Sequence, residues 1–281
     1  MKRLTYMKLT GCGNDFIVLD NRSRALTTPA LKRLATKLCT PGLSLGADGL
    51  IAIEPPRHRR TADFRWRLFN SDGSEAAFSG NGGRCGARFA SLKRIAGRRM
   101  TFETAAGLAE AEVNKAQVRL TFPPPEDLRL HLKVSLNGQT REGHAVAAGV
   151  PHCVYFLEPS ETLEKMDVVG LGRQTRHHPL FAPAGTNVNF LKVMGPRTLR
   201  QRTYERGVED ETLACGSGAV ASALVAVALG RVRPPVTVWP RSNTPLIVSC
   251  RWDGRAFTGV AQSGEARVIA EGVLWPEAWE W

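Results

Sequence analysis

The chain has no long hydrophobic run. Its most apolar stretch, Ala219 to Leu229, is interrupted only by Ser222 and falls well short of the roughly 20 residues that cross a bilayer. No continuous apolar segment follows the basic start of MKRLTYMKLTGCGNDF, so no secretory signal is expected and a cytoplasmic location is. No CxxC pair occurs among the six cysteines, which argues against a zinc ribbon or a thioredoxin-like site. Without a secretion signal, and with ample chain for a core, the cysteines are expected to be free thiols. A Walker loop is absent. Basic residues outnumber acidic ones, 38 to 26, for a net charge of +12. They are scattered, and the one tight cluster, Arg57-His58-Arg59-Arg60 after Pro55-Pro56, carries no interleaved aromatics. Neither a nucleic-acid nor a membrane partner is expected.

The 281 residues suit one large domain or two of about 140. With 43% hydrophobic and 23% charged residues, disorder and fibrous classes are excluded. The pattern is mixed α and β. Strands are expected at 3–8, 16–19, 50–53, 64–69, 100–104, 108–113 and 117–122, with helices at 29–39 and 80–95. Pro123-Pro124-Pro125 stops both helix and sheet and reads as a linker. Beyond it strands are expected near 144–147, 152–157, 188–193, 200–204, 236–239, 246–251, 256–261 and 266–274, and a helix near 216–229.

The halves repeat each other. In the first, a strand leads to Asn70, and Ser79-Gly80-Asn81-Gly82 then opens an apolar helix. In the second, a strand leads to Glu205, and Cys215-Gly216-Ser217-Gly218 opens another. Residues 14–18 also echo residues 187–191. Helix starts expose unpaired N–H groups and a positive dipole end, which hold carboxylates and phosphates. A thiol there is expected to titrate below its usual range. The G-x-G-x-x-A at Gly216 follows a loop and lacks an acidic residue near 235–240, so it is not read as dinucleotide-binding. Two small acid/base side chains on opposite sides of a cleft suit one reaction well. One group removes a proton from a stereocentre, and the other returns one to the opposite face.

In order, GCGNDFIVLD, LGADGLI, FNSDGSEAAFSGNGGRC, GVPHCV, GTNVNF and YERGVEDETLACGSGA resemble diaminopimelate epimerase. The resemblance runs from about residue 5 to at least residue 225. It implies an α/β fold of α+β type with two pseudo-symmetric domains. Each would be a mixed, mostly antiparallel curled sheet around a central helix, with the active site in the cleft between them. The halves are expected at 1–124, joined by the tail 264–281, and at 125–263. The implied activity is cofactor-independent interconversion of LL- and meso-2,6-diaminopimelate, in lysine and peptidoglycan-precursor synthesis. The implied partners are the amino-acid substrate and a second copy of the chain in a homodimer. No metal is implied.

Residue by residue, the resemblance places Cys215 on one of the family's two catalytic cysteines and Ser79 on the other. His152 and Glu205 fall on groups that tune them. Asn14, Asn70 and Asn187 fall on amides that contact substrate, and Glu205 and Arg206 on an acidic–basic pair for its amino-acid heads. Gly80, Asn81, Gly216 and Ser217 fall on the backbone cradle of the reacting carboxylate. Cys85 and the remaining cysteines read as core, with Cys12 beside the Asn14 turn.

Ser79 departs from the family. A hydroxyl is a weaker acid than a thiol by roughly five pKa units, about 7 kcal/mol, more than a helix terminus, worth up to about 2 kcal/mol, offsets. Three accounts stay open: a substitution made to trap substrate, a member with a different reaction, or another group in the role of Ser79. Val150, where many members have Asn, and the lack of an arginine before Gly46 bear on substrate breadth. The alternatives to the epimerase are a related racemase or dehydratase acting on another amino acid, and a non-catalytic amino-acid-binding relative.

Overall fold

Phe16, Ile17, Val18 and Leu19 are all buried on one strand. A strand with two buried faces needs a covering layer on each side, and that requirement organises the fold. The computed structural model describes residues 3–281. They form two units, one ending at Leu120 and completed by Gly264–Trp281, the other spanning Thr121–Ser263.

In the first unit the elements are β1 (Leu4–Gly11), β2 (Asn14–Asp20), α1 (Thr28–Leu38), β3 (Gly49–Glu54), β4 (Phe64–Asn70), β5 (Glu75–Ala76), α2 (Gly80–Leu92), β6 (Arg99–Thr104), β7 (Gly107–Asn114) and β8 (Gln117–Thr121). The second has β9 (Glu126–Leu136), β10 (Gln139–Ala147), β11 (Pro151–Phe156), α3 (Val168–Arg176), β12 (Asn187–Gly195), β13 (Thr198–Glu205), β14 (Asp210–Thr212), α4 (Gly216–Ala228), β15 (Val236–Trp239), β16 (Leu246–Trp252) and β17 (Phe257–Glu265). The final strand, β18 (Arg267–Leu274), pairs antiparallel with β1 and completes the first unit.

The two pairing schemes are the same. In the first unit β1 and β2 are antiparallel, β2 and β3 parallel, β3 and β4 antiparallel, and β4 and β6 parallel. In the second the same sequence of relations joins β10, β11, β12, β13 and β15. The short strands β5 and β14 match, as do the antiparallel runs β6–β7–β8 and β15–β16–β17. The pair β18–β1 is repeated by β9–β10. Each unit is thus a mixed, mostly antiparallel sheet curled around one helix, α2 or α4.

Both central helices are built of small residues because they are enclosed. Gly216–Ala228 is apolar all round and almost wholly buried, as expected of a helix inside a core. In α2, a Cβ on Gly86 would lie 2.5 Å from the Trp66 ring, so only glycine lets the helix approach β4. On the outer side of the first sheet, α1 carries Pro29 in its first turn, where the missing N–H costs nothing. It buries Leu31, Leu34, Ala35 and Leu38 against Ile17, Leu19, Leu50 and Phe69.

Three expectations need correction. The echo between residues 14–18 and 187–191 is not a structural repeat. Asn14 begins β2, whose counterpart is β11, whereas Asn187 begins β12, the counterpart of β3. Doubly covered strands share one apolar vocabulary, and that made two different strands read alike. Second, the strand expected near 144–147 begins at Gln139, and β9, for which no strand was expected, forms a long hairpin with it. Its turn residues Asn137 and Gly138 both have positive φ, and Asn-Gly between alternating strands was the usable signal. Third, α3 was not expected, because Gly170 and Gly172 weaken its helical reading. Tertiary contact explains it: Asp167 caps the Gly170 N–H at 2.8 Å, and Gly172 lies against the Tyr204 ring.

Candidate active site

In the second unit, Cys215 is the residue ahead of α4. Its backbone is extended (φ −111°), and its side chain is buried. The sulfur lies 3.6 Å from the Ser217 hydroxyl. That hydroxyl lies 2.9 Å from His152 Nε2. His152, on β11, is buried, and burial, reinforced by the Arg206 charge, holds it down to about 3. It is therefore neutral across the physiological range. Glu205 closes β13, and its Oε2 accepts the Thr212 hydroxyl at 2.8 Å.

The Cys215 thiol is pushed up, not down as the helix start suggested. Burial is the main cause and the Glu205 charge adds to it, while the Ser217 hydroxyl and the Gly218 N–H pull the other way. Water removed from a thiolate is a larger loss than the N–H groups of one helix end replace, about 2 kcal/mol at most.

Asn187 and Arg206 are joined to each other. The Asn187 amide donates to the Pro151 carbonyl and accepts the Arg206 backbone N–H, both at 2.9 Å. The Arg206 guanidinium donates to the Ala184 carbonyl at 3.1 Å. Gly216, at the first position of α4, offers its carbonyl to Gln262 Nε2 at 2.6 Å.

In the first unit, Ser79 is the residue ahead of α2. Its hydroxyl accepts the Gly82 N–H at 3.1 Å, an ordinary N-cap. Gly80 and Asn81 are buried beside it. Asn81 Nδ2 donates to Asn14 Oδ1 at 3.3 Å, and Asn14 Nδ2 donates to Asp48 at 2.5 Å. Asn70, at the end of β4, is exposed and donates to the Ser74 hydroxyl at 2.9 Å. Sequence reasoning assigned no role to Asp48 or to the fully buried Arg84. Arg84 donates to Asn81 Oδ1 at 2.8 Å and reaches the Cys12 sulfur at 3.5 Å. Both lie inside quoted motifs, LGADGLI and SGNGGRC, which was the available signal.

All six cysteines are free and buried. Burial pushes Cys85 up to about 12, which suits the core role expected of it. A separate group, His131, Glu142 and His144, brings three potential metal-binding atoms within 4.8 Å of one another. His144 Nδ1 accepts the His131 backbone N–H at 3.1 Å, so neutral His144 carries its proton on Nε2. That is the nitrogen facing Glu142, and with a proton on it no lone pair is free for a metal.

Two curled sheets with the same pairing scheme, each around a buried helix headed by a small side chain, form a fold that solved racemases and epimerases share. A solved probable proline racemase from Agrobacterium radiobacter K84, with bound carbonate, shares this fold. Its TM-score is 0.74 at 16% identity, covering 99% of this chain and 94% of that one. The family model for diaminopimelate epimerase matches residues 6–122 and 144–267. The diaminopimelate epimerase of Aquifex aeolicus is 41% identical, covering 99% of this chain and 100% of its own length. That of Chlorobaculum tepidum is 39% identical, covering 95% and 99%. The chain belongs to the diaminopimelate epimerase family.

Proposed function

We propose that the protein interconverts LL- and meso-2,6-diaminopimelate by moving the proton on the α-carbon, in lysine and peptidoglycan-precursor synthesis. Family membership over nearly the whole chain supports the substrate. The observation that carries the chemistry is the grouping of Cys215, Ser217, His152 and Glu205 at the head of α4. Cys215, as thiolate, takes the α-proton and becomes a thiol, leaving the electron pair on the substrate. The backbone N–H groups at Gly80, Asn81, Gly216 and Ser217 are assigned to the substrate carboxylate, where that charge is shared. An acid then returns a proton to the opposite face. Asn14, Asn70 and Asn187 are assigned to substrate contacts, and Glu205 and Arg206 to its amino-acid heads.

The acid and base are the protein's own groups, so no pyridoxal phosphate or other cofactor is required. The reading places the enzyme in the cytoplasm as a homodimer. Sedimentation tests the dimer.

Ser79 favours a narrower form of the same reading. Its hydroxyl falls where the resemblance implies a family thiol, and it is engaged as a helix cap. One-sided proton exchange is expected: one isomer loses its α-proton to Cys215, and return from the other face is slow. NMR in heavy water with each isomer separately tests this. Exchange from one isomer supports the narrower form, and interconversion of both supports the full epimerase. Binding without exchange from either overturns the catalytic reading.

A further inference from the structure

Behind Cys215 lies a line of polar groups, the buried Asn189 and His152 and the half-buried Ser217, each with one orientation open to it. Asn189, on β12, is fully buried. Its Nδ2 lies 3.2 Å from the Cys153 backbone carbonyl. A carbonyl only accepts, so the amide must present its nitrogen on that side. Its Oδ1 accordingly accepts the Thr203 hydroxyl at 3.0 Å and Gln201 Nε2 at 3.3 Å. The same Nδ2 lies 3.2 Å from His152 Nδ1. An N–H facing Nδ1 requires that Nδ1 be the unprotonated nitrogen. Neutral His152 therefore carries its proton on Nε2 and donates it to the Ser217 oxygen at 2.9 Å. The Ser217 hydroxyl, having accepted there, has its own proton to give, and the Cys215 sulfur is 3.6 Å away.

We infer that Asn189 and the Ser217 hydroxyl are positioning residues for Cys215. Asn189 holds His152 in its Nε2–H tautomer, and the resulting chain of donors aims the Ser217 hydroxyl proton at the sulfur. The inference rests on the reading of Cys215 as the catalytic base. Donors aligned in one direction strengthen one another in a low-dielectric interior. The chain opposes the burial and the Glu205 charge that disfavour the thiolate, while Arg206 is the charged group that bears on His152. Asn189 is further built into the helix start, since a Cβ on Gly218 would lie 2.5 Å from its Oδ1.

Nitrogen-15 NMR of histidine-labelled protein without substrate reads the tautomer directly, whatever the activity. His152 as the Nε2–H form is expected, and the Nδ1–H form overturns the inference. The pH profile of α-proton exchange is the second readout. In Ser217→Ala its rising limb moves up by about one pH unit or more, the scale of a hydrogen bond to a charged group. Ser217→Thr keeps the hydroxyl and restores the limb. Asn189→Asp presents an acceptor to Nδ1, reverses the tautomer, turns the Ser217 proton toward His152 and moves the limb the same way. An unmoved limb in Ser217→Ala overturns the inference even if exchange is normal. Should the intact protein exchange no proton, the functional reading fails instead. Thiolate absorbance, in difference against Cys215→Ala, then decides: Ser217→Ala must raise the titration of Cys215. Should Asn189→Asp not fold, the two Ser217 variants and the NMR of the intact protein suffice.

Discussion

Ser79 and Cys215 stand at the same place in two copies of one design, each immediately ahead of a 13-residue buried helix. They differ in the atom they carry. The Ser79 oxygen accepts the Gly82 N–H at 3.1 Å. The Cys215 sulfur makes no regular side-chain cap, but the corresponding Gly218 N–H favours its thiolate and the Ser217 hydroxyl lies 3.6 Å away. A hydroxyl caps one helix start, and a thiol with a second hydroxyl beside it stands at the other.

Replacing Ser79 with Cys is therefore expected to trade stability for turnover. The lost cap costs about 1 kcal/mol, read as a lower urea midpoint. Interconversion of the two isomers rises by about 100-fold or more, because a thiol ionises where a hydroxyl does not. Chiral analysis of product from each isomer checks it.

Cys215→Ala removes the proposed base while the backbone proposed to hold the carboxylate stays in place. Proton exchange from the isomer that Cys215 serves falls by about 1000-fold or more, the scale lost with a reacting group. Substrate affinity, measured by calorimetry, changes by less than about threefold.

Gly218→Ala drives a methyl into Asn189 Oδ1, 2.5 Å away. Buried groups hold Asn189 on every side, so it has no place to retreat. A loss of about 1–3 kcal/mol in unfolding free energy is expected, together with slower exchange. The distant Leu224→Ala, in the fully buried middle of α4, costs about 2–5 kcal/mol through a cavity, but leaves the exchange rate of the folded molecules within about twofold.

The stability of the protein also carries the signature of His152. Unfolded, a histidine titrates near 6.5; folded, burial holds His152 to about 3. Between those values the unfolded chain binds the extra proton. The contribution of His152 is thus complete above about pH 6.5 and is lost as pH falls toward about 3. Urea midpoints for the intact protein and for His152→Gln, at about pH 4.5 and about pH 7, test the sign. The intact protein loses more stability on acidification than the variant does.

Much was legible without a structure because its causes are local. The runs at residues 16–19, 50–53 and 219–227 are apolar over lengths that only buried strands or a buried helix explain. Residues of the Ser79-Gly80 and Cys215-Gly216 type announce helix starts by the conformations they permit. The repeat of strand, polar residue and helix start, with Asn70 and Glu205 closing β4 and β13, needed only the order of residues. Of the elements that escaped, β9 pairs with the adjacent β10 across an Asn-Gly turn that was readable, whereas α3 packs on Tyr204, far along the chain, and its own residues argue weakly for it.

The sequence by itself determined which residue types head the two central helices and, through its ordered motifs, the family. Tertiary structure alone decided their electrostatic state. A thiol at a helix start reads as acidified, yet Cys215 is raised because burial depends on everything packed around it. Asn189, at 189, His152, at 152, and Ser217, at 217, carry no shared spacing. They meet because β11 and β12 pair in parallel and α4 lies inside their sheet. The direction of a hydrogen-bond chain is set by which neighbours can only accept, and no linear pattern records that.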